Sequence, residues 1–199
     1  MTRPRILRAV DYPRMPWKNG GGSTQEITRD AGSELSGFGW RLSIADIQAT
    51  GGFSVFAGYQ RIITVLQGAG MTLDVDGVVS RPLLPIDPFA FNGDSQVGCT
   101  LLDGPIRDFN LIYAPHRYSA RLQWLDTRQP WRLFSSADTL VLFSATERMA
   151  VSINAGPWSD LGEHDCVRMD NDAGGLMEIE VQSSGDSRYC LIELTRTGH

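Results

Sequence analysis

Arg61 opens an otherwise apolar run, Ile62-Ile63-Thr64-Val65-Leu66. A strand turns alternate side chains to one face, so Arg61 would travel with Ile63 and Val65. Pointing inward, its guanidinium needs an anion, and its forked donors suit a carboxylate. Pointing outward, it is a strand-end arginine reaching solvent. Asp108 and Asn110 share a face of another apolar stretch. Buried, they need partners, and Arg61 and Lys18 are available. Thr24 and Glu26 share a third face, just after Trp17-Lys18-Asn19-Gly20-Gly21-Gly22. They either line a pocket with Lys18 and Asn19 or form an exposed strand face. Trp17 adds a flat apolar surface beside a cation, and the glycines permit positive φ or close approach. The chemistry in view is recognition of a small carboxylate.

Other chemistries fit less well. Small β-barrels often hold a metal through a His-x-His pair with a later Glu and His, because residues two apart face one lumen. The segment Phe53 to Arg61 contains no histidine, and only His116, His164 and His199 exist. His164 lies between Glu163 and Asp165, but sequence neighbours on a strand diverge. Neither a metal nor another cofactor is expected. The order Lys18-Asn19-Gly-Gly-Gly-Ser reverses a phosphate loop, and no G-x-S-x-G elbow occurs. Cys99, Cys166 and Cys190 are widely spaced and odd in number, which suits buried thiols in a reducing compartment.

The net charge of −5 argues against direct nucleic-acid binding. The basic start from Arg3 to Arg8 reads as a solvated terminus. No apolar run approaches the roughly 20 residues that span a bilayer, and no signal-peptide core is visible. A cytoplasmic protein without membrane contact is expected, with a homodimer left open.

Positioning falls to strands. Trp40, Leu42 and Ile44 alternate with Arg41, Ser43 and Ala45, and Met71, Leu73 and Val75 with Thr72, Asp74 and Asp76. Asp76-Gly77 supplies a hairpin turn. With 21 glycines and 10 prolines, short strands are favoured over long helices. Single helical turns are expected only at 34–36, 128–134 and 158–163. Met71-Thr-Leu-Asp-Val resembles Met149-Ala-Val-Ser-Ile, 78 residues later. The segments beginning at Ile106 and Ser187 look like equivalent closing strands. The expectation is an all-β chain of two antiparallel barrels in tandem, residues 1–114 with the ligand pocket and residues 115–199.

These motifs also resemble a known family. Met15-Pro16-Trp17-Lys18-Asn19-Gly20-Gly21-Gly22-x-Thr24-x-Glu26-Ile27 is similar to the opening motif of the HutD/Ves proteins. So are Trp40 to Ala45, Phe53-Ser54-x-Phe56, Gly58-x-x-Arg61 and Asp108-Phe109-Asn110-Leu111. The resemblance implies a bicupin, or double jelly roll. It implies a small-molecule-binding, regulatory role in bacterial histidine utilisation, and for the Ves branch a link to stress responses. By this resemblance Arg61 stands where metal-binding cupins carry a glutamate. The implied ligand is a pathway acid such as urocanate, formiminoglutamate or N-formylglutamate. Arg61 would clamp it, with Trp17, Lys18, Asn19, Thr24 and Glu26 as one wall and Asp108 and Asn110 orienting cations or bonding an amide. Two alternatives stand beside this reading. One is a metal-independent isomerase or hydrolase with Glu26 or Asp108 as general base. The other is an interaction module whose lumen is filled by side chains.

Overall fold

Period-two patterning runs almost the length of the chain, and strands follow it. The computed structural model describes residues 4–17, 20–30, 37–127, 130–183 and 187–198. Every strand pairing among them is antiparallel, in four sheets, and the helical content is one 3-10 turn, Ala9–Asp11. The turns expected at 128–134 and 158–163 are replaced by strands Trp131–Ser135 and Ser159–Leu161. Cross-strand pairing with Met177–Ser183 and Met149–Ile153 outweighs their weak local helical spacing. Residues 34–36 lie outside the described residues.

The chain divides into two units, Pro13–Arg117 and the rest, so that residues up to Tyr12 join those from Tyr118 onward. The boundary thus falls three residues past Ala114, and the first strand belongs with the C-terminal unit. Its pairing explains this. Arg5–Leu7 pairs with residues 166–168. Arg8 Nη1 reaches Asp165 Oδ2 at 2.7 Å, and the Ala9 N–H donates to Asp165 Oδ1 at 2.8 Å. The basic start is tied down rather than free in solvent.

In the N-terminal unit a six-stranded sheet runs Arg14–Pro16, Gly22–Arg29, Trp40–Ile47, Ile106–Tyr113, Gln60–Gln67, Phe89–Asn92. A four-stranded sheet runs Gly51–Gly52, Val97–Leu101, Met71–Val75, Val78–Val79. Ala45, Ile47, Ile63, Val65 and Ile106 from the first meet Met71, Leu73, Val97 and Cys99 from the second in one apolar core. The C-terminal unit repeats the plan. Its five-stranded sheet runs Arg5–Leu7, Cys166–Asp170, Thr139–Ser144, Ser187–Arg196, Tyr118–Thr127. Its four-stranded sheet runs Trp131–Ser135, Met177–Ser183, Met149–Ile153, Ser159–Leu161.

The repeat extends to backbone conformation. Met71–Val75 ends in a turn with positive φ at Asp76 (52°) and Gly77 (86°). Met149–Ile153 ends the same way at Asn154 (51°) and Ala155 (53°). Two successive left-handed residues suit the twist of a tight hairpin.

Candidate ligand-binding site

Three neighbouring strands build the site. Ile106–Tyr113 lies between Trp40–Ile47 and Gln60–Gln67. Its register sets Ile112 between Arg41 and Arg61, Asn110 between Ser43 and Ile63, and Asp108 between Ala45 and Val65. Inward residues therefore change along the strand from apolar Ile106 to polar Asp108 and Asn110. A cavity of about 510 Å³ opens where the core ends. Arg41, Ser43, Arg61, Asp108, Asn110 and Ile112 supply one wall. Trp17 and Thr24, with Phe53, Ser54 and Phe56, supply the others.

Arg61 turns inward with Ile63 and Val65 and is 5% exposed. Its guanidinium carbon lies 5.3 Å from the Phe53 ring centre, 5.4 Å from Phe56 and 4.9 Å from Phe91. These faces hold the cation by cation–π attraction without neutralising it. Arg61 Nη1 donates to the Ser54 carbonyl at 3.2 Å, and Nε has no partner. Burial pushes the guanidinium down to about 10; nearby Asp108 opposes that shift and Arg41 adds to it.

Asp108 is 1% exposed, and its Oδ1 has no partner. Burial pushes its carboxyl up to about 7, against the pull of Arg61 and a backbone hydrogen bond at Ala45, while Asp46 pushes it further up. Asn110 Oδ1 is also buried without a partner. Arg61 and Lys18 were the expected partners of both residues; Arg61 is instead held by the rings and by Ser54, and Lys18 lies outside the described residues.

Arg41 is buried, and its Nε lies 3.1 Å from Glu26 Oε2. That contact counts as an ion pair by distance but misses hydrogen-bond alignment, so Nε is left without a donor–acceptor partner. Glu26 also takes a two-point contact from Arg29. Of the five buried side-chain atoms without a hydrogen-bond partner among the described residues, four belong to Arg41, Arg61, Asp108 and Asn110. Unmatched donors and acceptors on one wall are what a small polar ligand would complement.

The structure thus brings Trp17, Thr24, Arg61, Asp108 and Asn110 to one cavity. Glu26 sits behind it, engaged by Arg29 and Arg41, a poor arrangement for a general base. Lys18 and Asn19 lie outside the described residues. Of the three glycines, Gly22 serves packing. A Cβ on Gly22 would stand 2.3 Å from the Asp46 carbonyl oxygen and 3.2 Å from the Trp17 ring. That close approach seats Trp17, whose Nε1 donates to Thr24 Oγ1 at 2.8 Å. Sequence reasoning missed Arg41 and the three phenylalanines. The signal for Arg41 was present, since its strand neighbours Trp40 and Leu42 are apolar and its own face continues to Ser43 and Ala45.

The second barrel differs at the same places. Matching its pairings to the first puts Leu140, Tyr189 and Leu191 where the first has Arg61, Asp108 and Asn110. All three belong to its apolar core. A concavity of about 630 Å³ does lie on this unit, lined by Arg8, Glu147, Arg148, Asp160 and Gln182 among others. Glu147 and Arg148 are exposed, and Arg8 is already paired with Asp165. Its size comes from open surface, so the smaller N-terminal cavity is the better candidate.

Many barrels of this shape carry a divalent metal. The N-terminal cavity does not fit one. Among the described residues its wall offers a single carboxylate, no imidazole and two guanidinium groups, a donor set that repels a cation. No cluster of three or more His, Cys, Asp or Glu suited to a metal occurs among the described residues.

Two jelly-roll barrels in tandem, one hollow and polar and the other filled, define a bicupin. The HutD family model matches residues 9–191, and the chain belongs to that family. It is 63% identical to a 21.2 kDa protein of the hutC 3′ region of Pseudomonas putida, over 98% of both chains. HutD from Pseudomonas fluorescens SBW25, solved in a formate condition, shares 60% identity and a TM-score of 0.86 over 98% of this chain and 100% of that one. Protein Ves of Citrobacter koseri is 37% identical over 88% of this chain and 94% of its own. At the level of fold alone, protein Ylba from E. coli matches at a TM-score of 0.70 with 9% identity, over 100% of this chain and 93% of its own. Among the described residues no helix is long and apolar enough to cross a membrane.

Proposed function

We propose that this HutD-family protein is a metal-free binding protein that regulates bacterial histidine utilisation by holding a small carboxylate. Urocanate, formiminoglutamate and N-formylglutamate are the candidate ligands. The observation that carries the reading is Arg61, a buried cation caged by three rings and, among the described residues, paired with no carboxylate, in a cavity with unmatched polar atoms. Arg61 clamps the ligand carboxylate, Asp108 and Asn110 meet its polar end, and Trp17 and Phe53 cover its apolar part. The family's name and the hutC-region relative support the histidine setting.

The test is a thermal-shift screen of chelator-treated protein against histidine, urocanate, formiminoglutamate, N-formylglutamate and glutamate. A ligand that binds only the folded state raises the melting temperature by mass action. Losing a buried clamp costs about 2–5 kcal/mol, so Arg61→Ala weakens binding by at least about tenfold. Arg61→Met, which keeps the packing among the rings, does the same. No shift with any acid would move the reading to an interaction module.

A second reading rests on Asp108, whose carboxyl is pushed up to about 7 inside the cavity, as suits a general acid–base. Turnover of the same acids, followed by absorbance or NMR and lost in Asp108→Asn, would establish an enzyme.

A further inference from the structure

We infer that Asp108 sets the net charge the cavity accepts, so that a carboxylate ligand binds together with one proton. The inference rests on the binding role proposed for the N-terminal cavity and adds a rule for when that cavity can be filled.

The geometry begins with the charges. Asp108 is the one carboxylate among the described residues lining the cavity. It shares a wall with Arg61 and Arg41 but forms no ion pair with either among the described residues, and its Oδ1 is without a partner. Arg41 is already matched to Glu26. Among the described residues lining the cavity, Arg61 is therefore the cation left for a ligand, and Asp108 is the one anion beside it. Ionised, Asp108 offsets Arg61 and repels a second carboxylate. Protonated, it leaves the Arg61 charge unbalanced and turns from an acceptor into an O–H donor that can face the ligand.

Each element packed around Asp108 leaves this logic intact. Its own strand contributes Asn110, which is neutral. Trp40–Ile47 contributes Arg41 and, more remotely, Asp46; Gln60–Gln67 contributes Arg61; Val97–Leu101 contributes Cys99. Burial and the Asp108 charge hold the Cys99 thiol up at about 12, so it stays neutral. Asp108 itself is pushed up to about 7, which places its proton where cellular pH can move it. An anion seated at Arg61 cancels the cation that opposed protonation and so strengthens the hold on the proton. By linkage, affinity for the anion then falls as pH rises.

The experiment is calorimetric titration of the full chain with N-formylglutamate, which has no group titrating from about pH 5.5 to about 8.5. Two buffers of different ionisation enthalpy count the protons taken up. Uptake approaching about one proton per ligand is expected above neutrality, with Kd rising up to about tenfold per pH unit there. Asp108→Asn, an isostere of the protonated acid, abolishes both the uptake and the slope. A Kd independent of pH with no proton uptake overturns the inference and leaves the binding role standing. A pH slope that persists in Asp108→Asn overturns it as well. Absence of binding at every pH overturns the binding role itself.

Discussion

Among the described residues, Arg61 and Asp108 stand buried on adjacent strands of one sheet and face one cavity, yet no ion pair joins them. The fold keeps both charges apart from each other and from water, an arrangement that costs stability unless something else supplies it. The first consequence concerns pH. The folded chain holds the Asp108 proton up to about 7, whereas the unfolded chain releases it near the ordinary carboxylate value. Folding therefore binds a proton in that window. The stability it confers is fully present below about pH 4 and is lost as pH rises through about 7. Asp108→Asn removes this limb. Urea denaturation of both proteins at about pH 5 and about pH 8 checks it, the variant gaining on the order of a hundredfold in folding equilibrium relative to wild type between the two. Parallel pH profiles would refute it.

Glu26 holds two partly or fully buried guanidinium groups, Arg29 and Arg41, whose side chains are 11% and 6% exposed. Removing its charge takes from Arg41 the carboxylate it faces and from Arg29 its two-point contact. Glu26→Gln should lose about 3 kcal/mol of stability, the cost of breaking a buried pair, read from the urea midpoint. A loss under about 1 kcal/mol would mean that the contacts are surface-like.

The second hairpin carries Ala155 at φ 53°, where the first has Gly77 at φ 86°. A Cβ added at Gly77 would meet nothing within 4 Å, so no clash confuses the comparison there. A left-handed L-residue costs roughly 1 kcal/mol. Ala155→Gly should raise stability by about that amount and Gly77→Ala lower it similarly, both measured by thermal unfolding.

Gly22 allows the Asp46 backbone to approach within the volume of a methyl group. Gly22→Ala should cost about 1–3 kcal/mol by overpacking and displace Trp17 from the cavity mouth. A weaker ligand response together with the stability loss is the expected result. An unchanged Kd would show that Trp17 is dispensable.

The strand pattern was legible because alternation is a local signal. It grouped Arg61 with Ile63 and Val65, and Asp108 with Asn110, without any knowledge of pairing, and left open whether the Arg61 face turns inward. The repeat at Met71 and Met149 was legible for the same reason, and the structure carries it into the turns at Asp76 and Asn154. Long-range pairing was not legible. Nothing local says that Arg5 pairs with Arg168, or that Asp165 anchors Arg8, so the first strand was assigned to the wrong barrel. The ring cage around Arg61 was hidden similarly, since Phe53, Phe56 and Phe91 converge only after the sheets form. Glu26 looked like a pocket carboxylate because the register that hands it Arg29 and Arg41 includes a bulge between Glu26 and Thr28.

The most direct test of the central claim is a crystal structure of the protein with N-formylglutamate or urocanate. The account predicts a ligand carboxylate within about 3 Å of an Arg61 nitrogen, with the polar end of the ligand at Asp108 and Asn110. A ligand bound instead between Arg8 and Arg148 on the C-terminal unit, with the N-terminal cavity empty, would contradict it.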